Sequence, residues 1–503
     1  MKKHLYRVLL CLCVYATARA QNANELYVNN LAANNHYEAA SFVVDTAPPT
    51  VSLKRAFLLW SKNAHPGLTT GLLTVDEFAP NGNFDSEHYN TQERTRDSFL
   101  LPKKIIRSRL FKGYYMLALV KRPFVPIGGR AVYSTPVVIK IDEALKMVWA
   151  YKIHFASITG KTIRALIEYN DIIEADNGDL VLAGHLKLVY NRDPNRLLAT
   201  RLKTSGSIIW SYDYSFKPVC SATALSLAEA KAHQLVLTGY TDNCAISSKS
   251  GVRQLLFMTL TPDGVPMLAQ AMRGGQASLG NKILQHADAR GEAFFIAGTI
   301  SLPTARTAPN QQLLFVDIQA NGVIRSVYHI GDAKTEVAND MQFSFLGNTN
   351  YFLFFTGYTN SYASRKEAFF LQLEYKAGNM ALLTFNTFTH SAAYTSGVGL
   401  EIKKAGKERW AILENTTFQL HATPFQSGYF TNILVRDLKD TSTRCIKKFQ
   451  PPVRPYQLSW QRLQADSNTL NFKIYEETYK EGGRIIPKEQ CGQLFIDAPA
   501  SGQ

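Results

Sequence analysis

The residues of this 503-residue chain that could do chemistry are spaced in ways that exclude most catalytic motifs. Gly160-Lys161-Thr162 has the ending of a phosphate loop, in which backbone amides and a lysine cradle a nucleotide. That loop needs a glycine five residues before Gly160, and the position holds Phe155. Asp171, Glu174, Asp176 and Asp179 surround Asn177-Gly178 and could offer oxygens to calcium. Their spacing fits no calcium loop and suits a hairpin turn, where Asp and Asn bond the local backbone. The histidines from His36 to His421 form neither H-x-H nor H-E-x-x-H, so zinc has no local ligand set, and no G-x-S-x-G elbow marks a serine hydrolase. A glycosidase would need two carboxylates about 5 to 9.5 Å apart in a funnel; with 40 acids in the chain, sequence cannot say which converge. Asp76 and Asp142 occupy equivalent repeat positions and read as turn supports. No catalytic, cofactor-binding or metal-ligating residue is expected.

What must position any site is a repeat. An apolar run, a turn that often bears glycine and a second apolar or aromatic run recur from Leu72, Val138, Leu198, Leu256, Leu314 and Phe370, with a worn copy at Leu434. A second phrase, an apolar strand expected to end in glycine, recurs in phase at Gly184, Gly239, Gly298 and Gly357. Spacing this even implies one supersecondary unit per copy, each with about four short strands. Four antiparallel strands in seven units predict an all-β fold, a seven-bladed β-propeller over 41–452 that closes through a mixed-terminus blade. Residues 26–45 or the segment after 453 could complete that blade. Residues 21–40 read as a lead-in and 453–503 as a short C-terminal β extension or closure segment. Six or eight blades, or two β-sandwiches, are the alternatives.

The phrase set, best seen in Val138 to Trp149 and Leu198 to Trp210, resembles exported bacterial β-propeller repeat proteins common in Bacteroidota. The resemblance covers roughly 70–390. Its motifs are structural, so it implies blades and an exported setting without implying catalytic residues.

Composition agrees with a packed all-β protein: 46% hydrophobic, 19% charged and 11% aromatic residues, with 31 Gly and 20 Pro. Lys2, Lys3 and Arg7, the apolar run Val8 to Tyr15 and Ala18-Arg19-Ala20 read as a signal peptide over 1–20, implying export to the periplasm, cell surface or medium. A lipoprotein reading would acylate Cys13, but Leu12 precedes it where a small residue is expected. No other apolar stretch is long enough for a transmembrane segment. Without the leader, 51 basic residues face 40 acidic ones, a formal charge of +11 that favours anionic partners. Cys220, Cys244, Cys445 and Cys491 then remain, an even number that reads as disulfides in an exported chain. Three connectivities exist, and proximity favours Cys220–Cys244 with Cys445–Cys491.

The expected function is a non-enzymatic scaffold that binds a protein or glycan of the cell envelope, anionic by charge. Nucleic acid is excluded by export and by the lack of a binding module. The binding surface is expected on the loops after the four glycines, with His185, Tyr190, Tyr240, Asp242, Arg253, Arg306, Tyr358 and Tyr362 as candidate contacts. The alternative is a carbohydrate-active enzyme with carboxylates in the central funnel.

Overall fold

The computed structural model describes residues 25–28, 37–46, 53–62, 70–75, 84–91, 99–124, 131–143, 146–155, 165–188, 194–217, 219–242, 252–303, 310–331, 334–362, 365–388, 394–405, 409–419, 427–437, 446–470, 472–476 and 479–482. Gly160-Lys161-Thr162 lies outside them.

Each repeat folds as an antiparallel meander because its apolar runs are rich in β-branched and aromatic residues and are punctuated by turn formers. In the third repeat the strands are Ala165–Glu174, Leu180–Leu188, Arg196–Leu202 and Ile208–Lys217. The Asp176-Asn177-Gly178 turn between the first two is closed by the Gly178 amide donating to the Ala175 carbonyl at 2.8 Å, with Gly178 at φ +88°. That left-handed conformation suits glycine.

Seven such sheets form, at 37–91, 99–155, 165–217, 221–273, 277–330, 336–388 and 394–437, here blades 1 to 7. The first strand of each blade contacts the first strand of the next, and those of blades 7 and 1 also touch, so the inner strands make a closed ring. The protein is an all-β seven-bladed propeller. Closure uses the N-terminal side: Glu25–Val28 is the outer strand of blade 7, pairing antiparallel with Ser427–Asp437. The C-terminal segment does something the repeat does not announce. Ile446–Phe449, Val453–Pro455, Ser459–Arg462, Gln464–Thr469, Phe472–Glu476 and Tyr479–Gly482 add a fifth, outermost strand to blades 6, 5, 4, 3, 2 and 1 in that order. The chain thus runs backwards around the circumference as a strap, and every blade has its outer edge covered from elsewhere in the chain. Ile446–Phe449, which the repeat spacing places in the seventh unit, therefore belongs to blade 6.

All seven inner strands carry a β-bulge at one place, at Ala40, Lys103, Asn170, Leu225, Asn281, Asn339 and Leu400. The phrase glycines are explained by it. Gly184, Gly239, Gly298 and Gly357 do not end their strands; each sits mid-strand opposite the residue that precedes the bulge. A Cβ on any of them would fall 1.8–2.0 Å from a carbonyl oxygen of the inner strand. Blades 1, 2 and 7 have Trp60, Ala118 and Glu414 there, which is why the glycine phrase recurs only in blades 3 to 6.

The bulge also ties neighbouring blades. Asn170, Asn281 and Asn339 donate their side-chain amides to Ala224, Ala338 and Gly399 carbonyls of the following blade. The next residues, Ser41, Lys104, Asp171, Ser226, Lys282, Asp340 and Glu401, form a polar ring. The Asp171 carboxylate accepts from the Ser226 hydroxyl and Leu227 amide, and Glu401 accepts from the Ser41 hydroxyl and Phe42 amide. Lys104 of blade 2 pairs with Glu401 of blade 7, which places the pair at the axis. Lys282 and Lys403 lie 4.0 and 3.9 Å from Asp340. Burial works against the Lys104 charge, but Glu401, Asp171 and Asp340 hold its pKa above the ordinary lysine value. Burial likewise opposes the Glu401 charge, and Lys104 and Lys403 hold its carboxyl down at about 2. Between blades the core is apolar and aromatic, as where Phe295, Phe315, Tyr351 and Tyr375 pack across blades 5 and 6.

Candidate ligand-binding face

In a meander, the loops between second and third strands lie at the same end as the blade-to-blade connections. The residue after each opposed glycine points the second strand toward that end. These equivalent residues are His185, Tyr240, Thr299 and Tyr358 in blades 3 to 6. A ring of polar and aromatic side chains follows from one repeat position.

His185 faces Glu168 in register, and Lys103, the bulge residue of blade 2, lies 3.9 Å from Glu168. Burial pushes the His185 pKa below the ordinary histidine value; Lys103 and Lys187 push the same way and Glu168 only opposes them. Its Nδ1 is buried without a hydrogen-bond partner. The ring is therefore a neutral imidazole at neutral pH, the form able to accept a proton.

Tyr240 carries the Arg253 guanidinium over its ring at 4.0 Å, and Arg253 Nε donates to Asp242 at 3.2 Å. The arrangement recurs in blade 6, where Lys366 Nζ stands 4.3 Å over Tyr358, whose phenol burial pushes up. Tyr362 instead stacks on Phe449 of the strap at 3.9 Å and meets Phe385 edge-on, which is packing. Tyr190 and Arg306 lie outside the described residues. Cys220 is buried and disulfide-bonded; Cys244, Cys445 and Cys491 lie outside the described residues, so the pairing stays an expectation.

Beneath the row, Thr241 and Gln254 oppose each other in register, fully buried, and the Thr241 hydroxyl and both amide atoms of Gln254 have no partner. The repeat explains this. At the equivalent positions, blade 3 pairs Arg196 with Asp213 at 2.8 Å and blade 5 pairs Gln312 with His329; blade 4 places Ala271 where that second partner would be. Across blade 6, buried Glu336 and Glu367 flank Thr359 in register. Glu168, Gln254 and these glutamates were not legible as site residues, because only pairing across strands brings them to this end.

The acidic cluster at 171–179 disperses: Asp171 goes to the axial ring, Glu174 accepts from Ser108 at 2.7 Å, and Asp179 pairs with Arg201 at 2.9 Å. Asp176, Glu229 and His233 offer oxygen and nitrogen atoms within 4.8 Å of one another, but Arg109 supplies the positive charge there, 2.8 Å from Asp176. His286 and Asp317, 3.1 Å apart, have the look of a relay. Both are out of solvent, His286 Nδ1 is engaged by Tyr351, and Tyr375 donates to Asp317 at 2.7 Å, so the group is a closed structural network. No helix among the described residues is long and apolar enough to cross a membrane.

No protein-family model matches the chain, and no curated protein matches it. Among solved structures it is similar to a polysaccharide lyase of family PL25, an ulvan lyase, at 11% identity, covering 82% of this chain and 98% of that one with a TM-score of 0.47. A PL25 ulvan lyase bound to -[GlcA(1-4)Rha3S]- gives 10% identity, 83% and 97% coverage and 0.46. Polysaccharide lyase Uly1 gives 9%, 81% and 99%, and 0.42. The propeller assignment rests on the sheet order and not on these likenesses.

Proposed function

We propose that this protein is exported and binds an acidic polysaccharide across the face that carries His185, Tyr240 and Tyr358. The observation that supports the reading is the repeated tyrosine–cation pair: Arg253 over Tyr240 and Lys366 over Tyr358, at equivalent positions two blades apart. A tyrosine ring offers a platform for the apolar face of a sugar, and the adjoining guanidinium or ammonium answers a carboxylate or sulfate. The excess of basic residues acts in the same direction.

A second reading, that the protein cleaves such a glycan by β-elimination, is favoured by His185. A neutral imidazole at this face could take the proton α to a uronate carboxylate, while a nearby cation such as Lys103 neutralises that carboxylate.

The test is retardation of the protein in gels cast with acidic or neutral polysaccharides, with absorbance of an unsaturated uronate followed in parallel. Uronate-bearing sulfated glycans, the class bound by the PL25 lyase, are the natural probes. Retardation by acidic glycans alone, weakened about tenfold or more in Tyr240→Ala with Tyr358→Ala, is expected. Equal retardation by neutral glycans, or none at all, would overturn the reading. Absorbance that grows with the native chain and is lost in His185→Gln supports elimination; its absence leaves binding alone.

A further inference from the structure

The opposite face of the propeller, where first-to-second and third-to-fourth strand hairpins emerge, has its own pattern. Among the described residues, eleven large apolar side chains are prominently exposed, and all but Val219 and Trp460 lie on these hairpins. Four of them share one position. The fourth strands of blades 2 to 6 each carry a bulge at the same repeat position; the bulged residues of blades 2, 3, 4 and 6 are Val148, Ile209, Met267 and Leu383, 42–54% exposed, and that of blade 5 is Arg325. Leu110 in blade 2 and Val323 in blade 5 extend the ring. Singly exposed apolar residues need no explanation, but their concentration on one end of the ring does.

Charge accompanies them. Lys112, Lys146, Lys203, Lys231, Lys376 and Lys404 are exposed at hairpin tips or strand ends on this face. Of the exposed acids on this face, Glu143 and Asp176 are each met by an arginine, Arg107 at 3.7 Å and Arg109 at 2.8 Å, and Asp263 stands at the blade 4 tip, so the lysines leave the tips positive on balance. Exposed apolar side chains between lysines on one end of the ring are the chemistry that enters the headgroup region of an anionic bilayer, with the apolar groups reaching the acyl boundary and the ammonium groups meeting phosphates.

We propose that the protein docks by this hairpin face on the surface of an anionic lipid bilayer, which leaves the His185–Tyr240–Tyr358 face directed away from the membrane. The experiment is flotation of residues 21–503 with phosphatidylglycerol-rich vesicles and with phosphatidylcholine vesicles. Co-flotation with the anionic vesicles, reduced by salt, is expected. Val148→Ser with Ile209→Ser and Val323→Ser should weaken it about tenfold or more, as should Lys112→Glu with Lys203→Glu and Lys231→Glu. Exposed serine and glutamate at these tips leave the blades intact, and an unchanged melting temperature checks this. No co-flotation, or co-flotation untouched by both sets, would overturn the proposal, as would light scattering that finds a dimer burying this face. Polysaccharide retardation of the same variants should be unchanged, so failure on one face is distinguishable from failure on the other.

Discussion

The Lys104 ammonium of blade 2 is paired with the Glu401 carboxylate of blade 7, with blade 1 between them in the ring. A contact between non-adjacent blades exists only at the axis, so this pair fixes the angular closure of the propeller as well as filling its centre. Lys104→Met would leave the Glu401 charge buried with Lys403, 3.8 Å away, as its remaining cation. A loss of about 3–5 kcal/mol in urea unfolding is expected. Lys104→Met combined with Glu401→Leu should recover most of it; a double variant as weak as the single one would count against the pair.

Acid should act through the same carboxylate. Glu401 titrates at about 2 in the fold and near the ordinary value of about 4.3 when unfolded. Its ionised form therefore contributes stability that is fully present above about pH 4.3 and is lost as pH falls toward 2. Melting temperature measured from pH 6 to 2 should fall less steeply in Glu401→Gln than in the native chain. Parallel curves would exclude Glu401 as a contributor.

Gly184→Ala places a methyl 1.9 Å from the Glu168 carbonyl, and neither strand can retreat without opening the bulge. Destabilisation of about 2–4 kcal/mol is expected. Gly378 offers the contrast: it has φ +94° but nothing within 4 Å, so Gly378→Ala should cost only about 1 kcal/mol. Chemical denaturation of the two variants side by side checks the order.

The orphaned amide in blade 4 makes a prediction of opposite sign. Gln254→Leu removes two unsatisfied polar atoms from a fully buried site and should be neutral or stabilising, whereas Gln312→Leu strands His329 and should cost about 1–3 kcal/mol. Equal losses in thermal unfolding would mean that Gln254 is satisfied in solution.

His185 can be read by its own titration. Burial, with Lys103 and Lys187, depresses its pKa, so the imidazole proton resonance should shift with a midpoint below the ordinary value of about 6.5. A depressed histidine favours unfolding as pH falls through that window, because the unfolded chain binds the proton first. A midpoint at or above 6.5 would remove the case for His185 as a base.

Much of the blade architecture was legible because repeat phase survives substitution: an apolar run and a turn glycine recur even where individual residues change. The bulges were not legible, since the bulged residue is Ala40, Lys103, Asn170 or Leu400 in different blades and its only trace is the glycine opposite in blades 3 to 6. The strap strands were legible only as generic β segments, because strands of three to six residues pairing far along the chain carry no period. For the same reason His185, Tyr240 and Tyr358 could be picked by their place after a glycine, while Glu168 and Gln254 acquire meaning only from what stands across the sheet.

The strap and the N-terminal strand together set an order of events. Glu25–Val28 must wait for Ser427–Asp437 before it has a partner, and the outer edge of blade 1 is not covered until Tyr479–Gly482 arrives. A chain emerging from its N-terminus therefore holds the outer edge of blade 1 uncovered until Tyr479–Gly482 appears, and completion of that blade comes after all the others. Once it has come, Glu25–Val28 and Tyr479–Gly482 hold the outer edges of the adjacent blades 7 and 1, so the strands that cover the seam of the ring come from opposite sides of the repeat.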